Sequence, residues 1–182
     1  MIRWAIWIAG GLVLGAIIHI AVILSLPLLM TESLWTRIST VDALNRPVVL
    51  AAPQAGDPNP LRLDPELAYA VCRIDLRQGP GVVQGLLPQA FWSVAVYGRS
   101  GTVIYSTTNR DGIGQVLDLG IFNAAQTRLL AQQQLDIAEG LLIVESREDD
   151  VIVAVRLAPP HQAMRGRFEA ELAKLRCGNL DS

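Results

Sequence analysis

The sequence predicts an α+β protein in which one N-terminal transmembrane helix precedes a mainly antiparallel β-sheet domain with two helices. Three observations lead there: an uncharged apolar run over residues 4–30, a series of short strand-like segments divided by Gly and Pro turns, and two later stretches with helical spacing. Composition agrees with this division. The 182 residues are 51% hydrophobic and only 18% charged, an apolar excess that one water-soluble domain does not need. Of the 15 Lys and Arg only Arg3 precedes residue 31, and none of the 17 Asp and Glu does, so the rest of the chain is mildly acidic. That balance excludes a nucleic-acid binder working through phosphate neutralisation, and the recurring aliphatic strands exclude disorder. Two cysteines and two widely separated histidines build no local zinc site. No motif implies a cofactor, and no catalytic or metal-ligating set is recognisable.

Residues 1–30 form the first element, a signal anchor. As a helix at ~1.5 Å per residue, the uncharged run from Trp4 to Met30 extends about 40 Å, enough to cross a hydrocarbon core of ~30 Å. A cleavable signal has an apolar region of about 7–15 residues ending in a small-x-small site, and Leu26-Pro27-Leu28-Leu29-Met30 offers none. Trp4, Trp7 and Trp35 mark the two membrane interfaces, and Pro27 ends or kinks the helix. Arg3 and the α-amine compete with Arg37 and Arg46 for the cytoplasmic side. A short basic tail directly before the apolar run is the signal-anchor arrangement, which places the N-terminus in the cytoplasm and the domain outside, in a bacterium at the inner membrane facing the periplasm. Gly11, Gly15 and His19 share one helix face, either a face for weak self-association or a partner helix, or ordinary glycines of a membrane helix.

Residues 31–60 read as a juxtamembrane linker, because AAPQAGDPNP over 51–60 is rich in proline. The exported domain then occupies 61–182. Its first strand covers Leu67–Leu76, with a break in alternation at Cys72 and Arg73 that suggests a bulge. Strands follow at 82–87, 91–97 and 102–107, the last two joined by the Gly98-Arg99-Ser100-Gly101 hairpin loop. Asn123 caps a helix that ends by about residue 134, with Gln126 completing a capping box. Residues 141–147 and 151–158 form a hairpin across Glu148-Asp149-Asp150. Pro159-Pro160 starts a last helix whose Met164, Phe168, Leu172 and Leu175 fall on one face, and Gly178 closes it.

Few residues suggest chemistry. Cys72 and Cys177 are two simple thiols if the chain stays in a reducing cytosol, whereas export favours a disulfide tying the end of the last helix to the sheet. Gly98-Arg99-Ser100-Gly101 lacks the final glycine of a nucleophile elbow, since position 102 is threonine. His161 reads as a solvent-facing residue of a first helical turn, and Arg165 with Glu169 and Arg167 with Glu171 as opposite charges on a solvated face.

Residues 61–112 resemble a bacterial family known as domain of unknown function 1254. The resemblance rests on Asp64-Pro65 followed by a strand with Tyr69, on the Asp75-Leu76…Gly79-Pro80 turn, and on Phe91-Trp92-Ser93-Val94 with the hairpin from Tyr97 to Tyr105. It implies a β-rich domain, short members of the family being inner-membrane proteins. Longer members are fused to domain of unknown function 1214, so a separate membrane-anchored protein carrying that domain is the implied partner. The resemblance supplies no catalytic residues. Two functions are then in play: a membrane-anchored binding or structural module acting with an envelope partner, and a ligand-processing or hydrolase-type enzyme whose carboxylates, such as Asp64 and Asp75, converge only in three dimensions.

Overall fold

A computed structural model describes residues 2–29, 34–110, 114–132 and 140–180. The chain divides into two units, one ending at residue 33 and one spanning Leu34–Ser182. The first is a single helix, α1 (Ile2–Leu29). Its backbone stays helical through position 27, so Pro27 neither ends it nor separates Leu28 and Leu29 from it.

The second unit is an α+β sandwich. Its elements are α2 (Leu34–Ser39), β1 (Val48–Leu50), β2 (Ala68–Asp75), β3 (Gly81–Leu86), β4 (Phe91–Gly98), β5 (Val103–Thr108), β6 (Val116–Asn123), α3 (Ala124–Gln132), β7 (Leu142–Ser146), β8 (Asp150–Ala158), α4 (Arg165–Leu172) and β9 (Arg176–Asn179). One five-stranded sheet has the order β1-β2-β8-β4-β5 and is antiparallel throughout. The four-stranded sheet β7-β6-β3-β9 is antiparallel except where β7 runs parallel to β6. A parallel neighbour requires a crossover, and α3 supplies it.

Side-chain alternation explains how the layers pack. Ala70, Cys72 and Ile74 of β2 and Val151, Val153, Val155 and Leu157 of β8 point inward, meeting Val83, Leu117, Leu119 and Ile121 of the second sheet. Trp92 and the α4 residues Phe168 and Leu172 complete this main core. On the opposite face of the first sheet Val71 and Ile152 are buried too, under Ile38, Ala43 and Leu50. β2 and β8 are therefore covered on both sides, which is why their sequences run apolar almost without interruption.

This second layer revises the domain boundary. Residues 34–63, within and just after the expected linker, supply α2, β1 and the cover of the first sheet. Trp35 is half-buried in that layer, with the guanidinium carbons of Arg73 and Arg99 5.8 and 5.7 Å from its ring. The expected bulge at Cys72–Arg73 is absent: β2 pairs with β8 in unbroken register from Ala68 to Asp75, and double-sided burial produced the broken pattern. Nor do β7 and β8 form a hairpin. They lie in different sheets, and residues 147–149 carry the chain across, with the Ser146 hydroxyl donating to the Glu148 carbonyl at 2.7 Å.

The last helix is shorter than its periodicity suggested. α4 ends at Leu172 and the chain returns as β9, pairing Val83 with Cys177 and Gly81 with Asn179. Gly178 is a strand residue and Cys177 does not sit at a helix end. Asn179 locks this arrangement, donating to the carbonyls of Asp75 at 3.0 Å and Gly79 at 2.7 Å. Gly79 has φ 141°, a backbone region open to glycine alone among common residues, so the turn after β2 depends on it.

Candidate functional site

The largest concentration of charge lies where the first sheet ends beside the crossover into the second. Asp75, the last residue of β2, stands directly opposite Asp150, the first of β8. Two carboxylates placed side by side repel, and Arg77 resolves the conflict. From the short 3-10 turn after β2, its Nε reaches Asp75 Oδ1 at 2.7 Å and its Nη2 reaches Asp75 Oδ2 at 2.9 Å and Asp150 Oδ1 at 3.4 Å. Arg99 approaches Asp150 from the β4–β5 loop at 3.8 Å, and its backbone N–H donates to the Glu148 carboxylate. The bonded Arg77 guanidinium holds the Asp75 carboxyl below its ordinary value against an opposing pull from burial, and Asp75 in turn raises Arg77.

The cleft has a volume of about 550 Å³, and Ser100, Arg147 and Asp149 add to its lining. Hydrogen bonds tie its walls to three elements. The Asn123 amide donates to Asp149 Oδ1 at 3.1 Å, Leu76 N–H to the Asp149 carbonyl at 2.7 Å, and the Gln126 amide to the Leu76 carbonyl at 2.7 Å. The capping box expected at Asn123 forms as read: Asn123 N–H meets Gln126 Oε1 at 2.9 Å and Gln126 N–H meets Asn123 Oδ1 at 3.0 Å. Its wider role, clamping α3 against the cleft, was not visible in the motif. Chemically, Arg77 bridges the Asp75 and Asp150 carboxylates, while Asp149 is held by the Asn123 amide and Glu148 by the Arg99 N–H. Asp75 stays ionised at neutral pH and has no proton to give. Ser100 sits in a hairpin loop, its hydroxyl 3.0 Å from Thr102 Oγ1, in no strand-to-helix elbow.

The remaining candidates are dispersed. Cys72 of β2 and Cys177 of β9 are joined by a disulfide with Cα atoms 6.5 Å apart, so the bond staples one sheet to the other. Asp64 forms a tight turn, accepting from Glu66 N–H at 2.8 Å, ahead of β2, whereas Asp75 closes that strand. The eight-residue strand between them spans roughly 23 Å, and among the described residues no contact brings the two carboxylates together to divide acid and base roles. His161 is exposed at the start of a 3-10 turn. Arg165 is not merely part of a solvated face: besides Glu169 at 2.7 Å it reaches the carbonyls of Pro65 and Leu67 at 2.5 and 2.8 Å, fixing α4 to the segment before β2. On α1, a Cβ at Gly11 or Gly15 would meet nothing within 4 Å.

Neither a family model nor a curated protein sequence matches the chain. Two solved structures align with the chain. The VPA0106 protein from Vibrio parahaemolyticus aligns over 65% of this chain with a TM-score of 0.54 at 8% identity. An uncharacterised protein from Burkholderia cenocepacia aligns over 79% with a TM-score of 0.48 at 14% identity. The chain spans 29% of the first and 37% of the second. At such identities the Vibrio likeness speaks to fold alone.

Proposed function

We propose that this chain is a membrane-anchored module of a bacterial envelope, with its N-terminus in the cytoplasm and its sandwich in the periplasm, acting by binding a partner or ligand. The observation that carries this reading is α1. Its apolar stretch Ile2–Leu26 has a mean hydropathy of 2.4 and none of it is buried. A helix of that composition with no packed face needs an apolar solvent, and a bilayer provides one. The disulfide between the sheets supports an oxidising compartment. Binding is favoured over the enzyme alternative by the pairing of Asp75 and Asp150 with Arg77, and by the eight-residue strand that lies between Asp64 and Asp75.

The resemblance to domain of unknown function 1254 supplies the partner class, a second membrane-anchored protein carrying domain of unknown function 1214. The face of Gly11, Gly15 and His19 is the proposed meeting point within the bilayer, for that partner or for weak homodimerisation. The test is one strain with a reporter enzyme, active only after export, fused after Ser182, from whose native membranes the chain is also purified. Reporter activity and a co-purifying membrane protein support the proposal. A bright cytoplasmic fluorescent reporter at the same position overturns the orientation, and extraction of the chain by alkaline wash overturns the anchor.

A further inference from the structure

The outer face of the first sheet carries a second depression, of about 190 Å³, between β2, β8 and the segment before β2. Its walls are Ile38, Leu50, Leu61 and Leu63 with Tyr69 and Tyr97. The polar groups that line it are two guanidiniums, Arg62 and Arg156, and two phenols; no carboxylate does. Among the described residues neither arginine forms an ion pair.

The hydrogen bonds leave this groove rich in donors. Arg156 Nη2 donates to the Tyr97 hydroxyl at 3.1 Å, and Asp64 N–H donates to the Tyr69 hydroxyl at 3.1 Å. Each phenol is thus already used as an acceptor and still has its own proton to give. The rest of the Arg156 fork is available as well, half-buried beside apolar walls where a charge-assisted bond is stronger than in water.

The rim is built to hold its shape. Asn59 clamps it from both sides, donating from Nδ2 to the Leu63 carbonyl at 2.8 Å and accepting from Leu63 N–H at 2.9 Å. Arg62, between them, is held at φ 50°, a left-handed conformation that a long side chain adopts only when its surroundings impose it. That turn keeps Leu61 and Leu63 on the groove wall with Arg62 exposed between them.

We infer that this groove is a receptor for a small free amphipathic acid, its apolar tail lying along Leu50, Leu61 and Leu63 and its carboxylate meeting Arg156 and the Tyr97 hydroxyl. The inference rests on the binding-module reading and names its ligand class. A planar carboxylate suits the arginine fork, which binds it through two parallel hydrogen bonds. An uncharged molecule of the same shape desolvates the guanidinium without supplying an opposite charge.

Calorimetric titration of the full chain in a neutral maltoside detergent, with hexanoate, 1-hexanol and acetate as probes, tests it. Hexanoate should bind at least about tenfold more tightly than either comparator, because only it offers both tail and charge. Arg156→Gln should lower hexanoate affinity by about tenfold and leave that of hexanol unchanged. Tyr97→Phe, which removes one hydroxyl and keeps the ring, should weaken hexanoate alone and serves as the reporter if Arg156→Gln fails to fold. Equal binding of hexanoate and hexanol, no binding of hexanoate, or full affinity in a folded Tyr97→Phe or Arg156→Gln chain overturns the assignment. Failure here with a partner still co-purifying from native membranes removes the groove assignment and leaves the module reading standing. Failure of both removes both.

Discussion

Replacing both cysteines with alanine tests the staple between the sheets. Cys72 and Cys177 are separated by 105 positions, for which the chain-entropy model assigns the closed loop about 4.8 kcal/mol. The cost of Cys72→Ala/Cys177→Ala should fall somewhat below that, within the ~2–5 kcal/mol typical of a native disulfide, because β9 keeps its backbone pairing to β3 and alanine suits the apolar site. At about 2–4 °C per kcal/mol for a domain of this size, the melting temperature should drop by roughly 4–20 °C. Near-UV circular dichroism of the detergent-solubilised chain measures it. Hydrogen exchange locates it: the amides that join β9 to β3 should gain exchange before those joining β8 to β2, because β9 is a four-residue edge strand paired on one side only, whereas β8 is paired on both. A melting temperature within about 2 °C of the parent chain would refute the reasoning. So would two alkylatable thiols in the unreduced, denatured parent chain.

Three further outcomes are expected. Gly85→Ala places a Cβ 2.5 Å from Leu175 Cδ2 and should destabilise by about 1–3 kcal/mol in urea unfolding, whereas Gly166→Ala, on α4 with open space around it, should stabilise by up to ~1 kcal/mol; a neutral Gly85→Ala would show that Leu175 yields freely. Asp75→Asn removes the carboxylate that Arg77 holds. Because the folded pKa of Asp75 is lowered from 3.8, its contribution is fully present above that value and is lost as the pH falls through the folded pKa, so parent and variant should differ at pH 7 and the gap should narrow as the pH falls below 3.8; a gap of constant size would assign the effect to something other than this ionisation. Gly11→Leu/Gly15→Leu should leave membrane insertion intact and reduce cross-linking through α1, and undiminished cross-linking would mean that any partner is held by the sandwich instead.

The α+β class, the apolar helix, the strands from β2 to β5 and the Asn123–Gln126 cap could all be read from the sequence, because each rests on local pattern or local hydrogen bonding. What escaped depends on distant partners. β6 was missed although Val116-Leu-Asp-Leu-Gly-Ile-Phe alternates, since Gly120 interrupts it. That glycine is needed because a Cβ there would lie 2.8 Å from the Phe122 ring. β9 carries no strand signal at all, and Arg-Cys-Gly-Asn is extended because β3 offers an edge and Cys72 a sulfur. The β7–β8 hairpin was misread because two β-branched runs around an acidic tip are the same string whether the strands pair together or part into separate sheets. As for the sites, neither the cleft nor the groove has a motif. Arg77 and Arg99 come from two connections and Asp150 from the start of β8, and Tyr69, Tyr97 and Arg156 come from three strands.

The strand order also dictates when the molecule can fold. β8 sits between β2 and β4, yet it is synthesised after both, and β9 comes later still. Until residue 158 has emerged, β2 and β4 each present an open, largely apolar edge with no chain to fill the gap between them. A nascent chain therefore cannot lay down its sheets progressively from the N-terminus, and a product truncated before β8 should aggregate rather than persist as a smaller domain. If the chain is exported through α1, such delay is useful: a polypeptide unable to complete either sheet stays threadable until almost its last residue has been made.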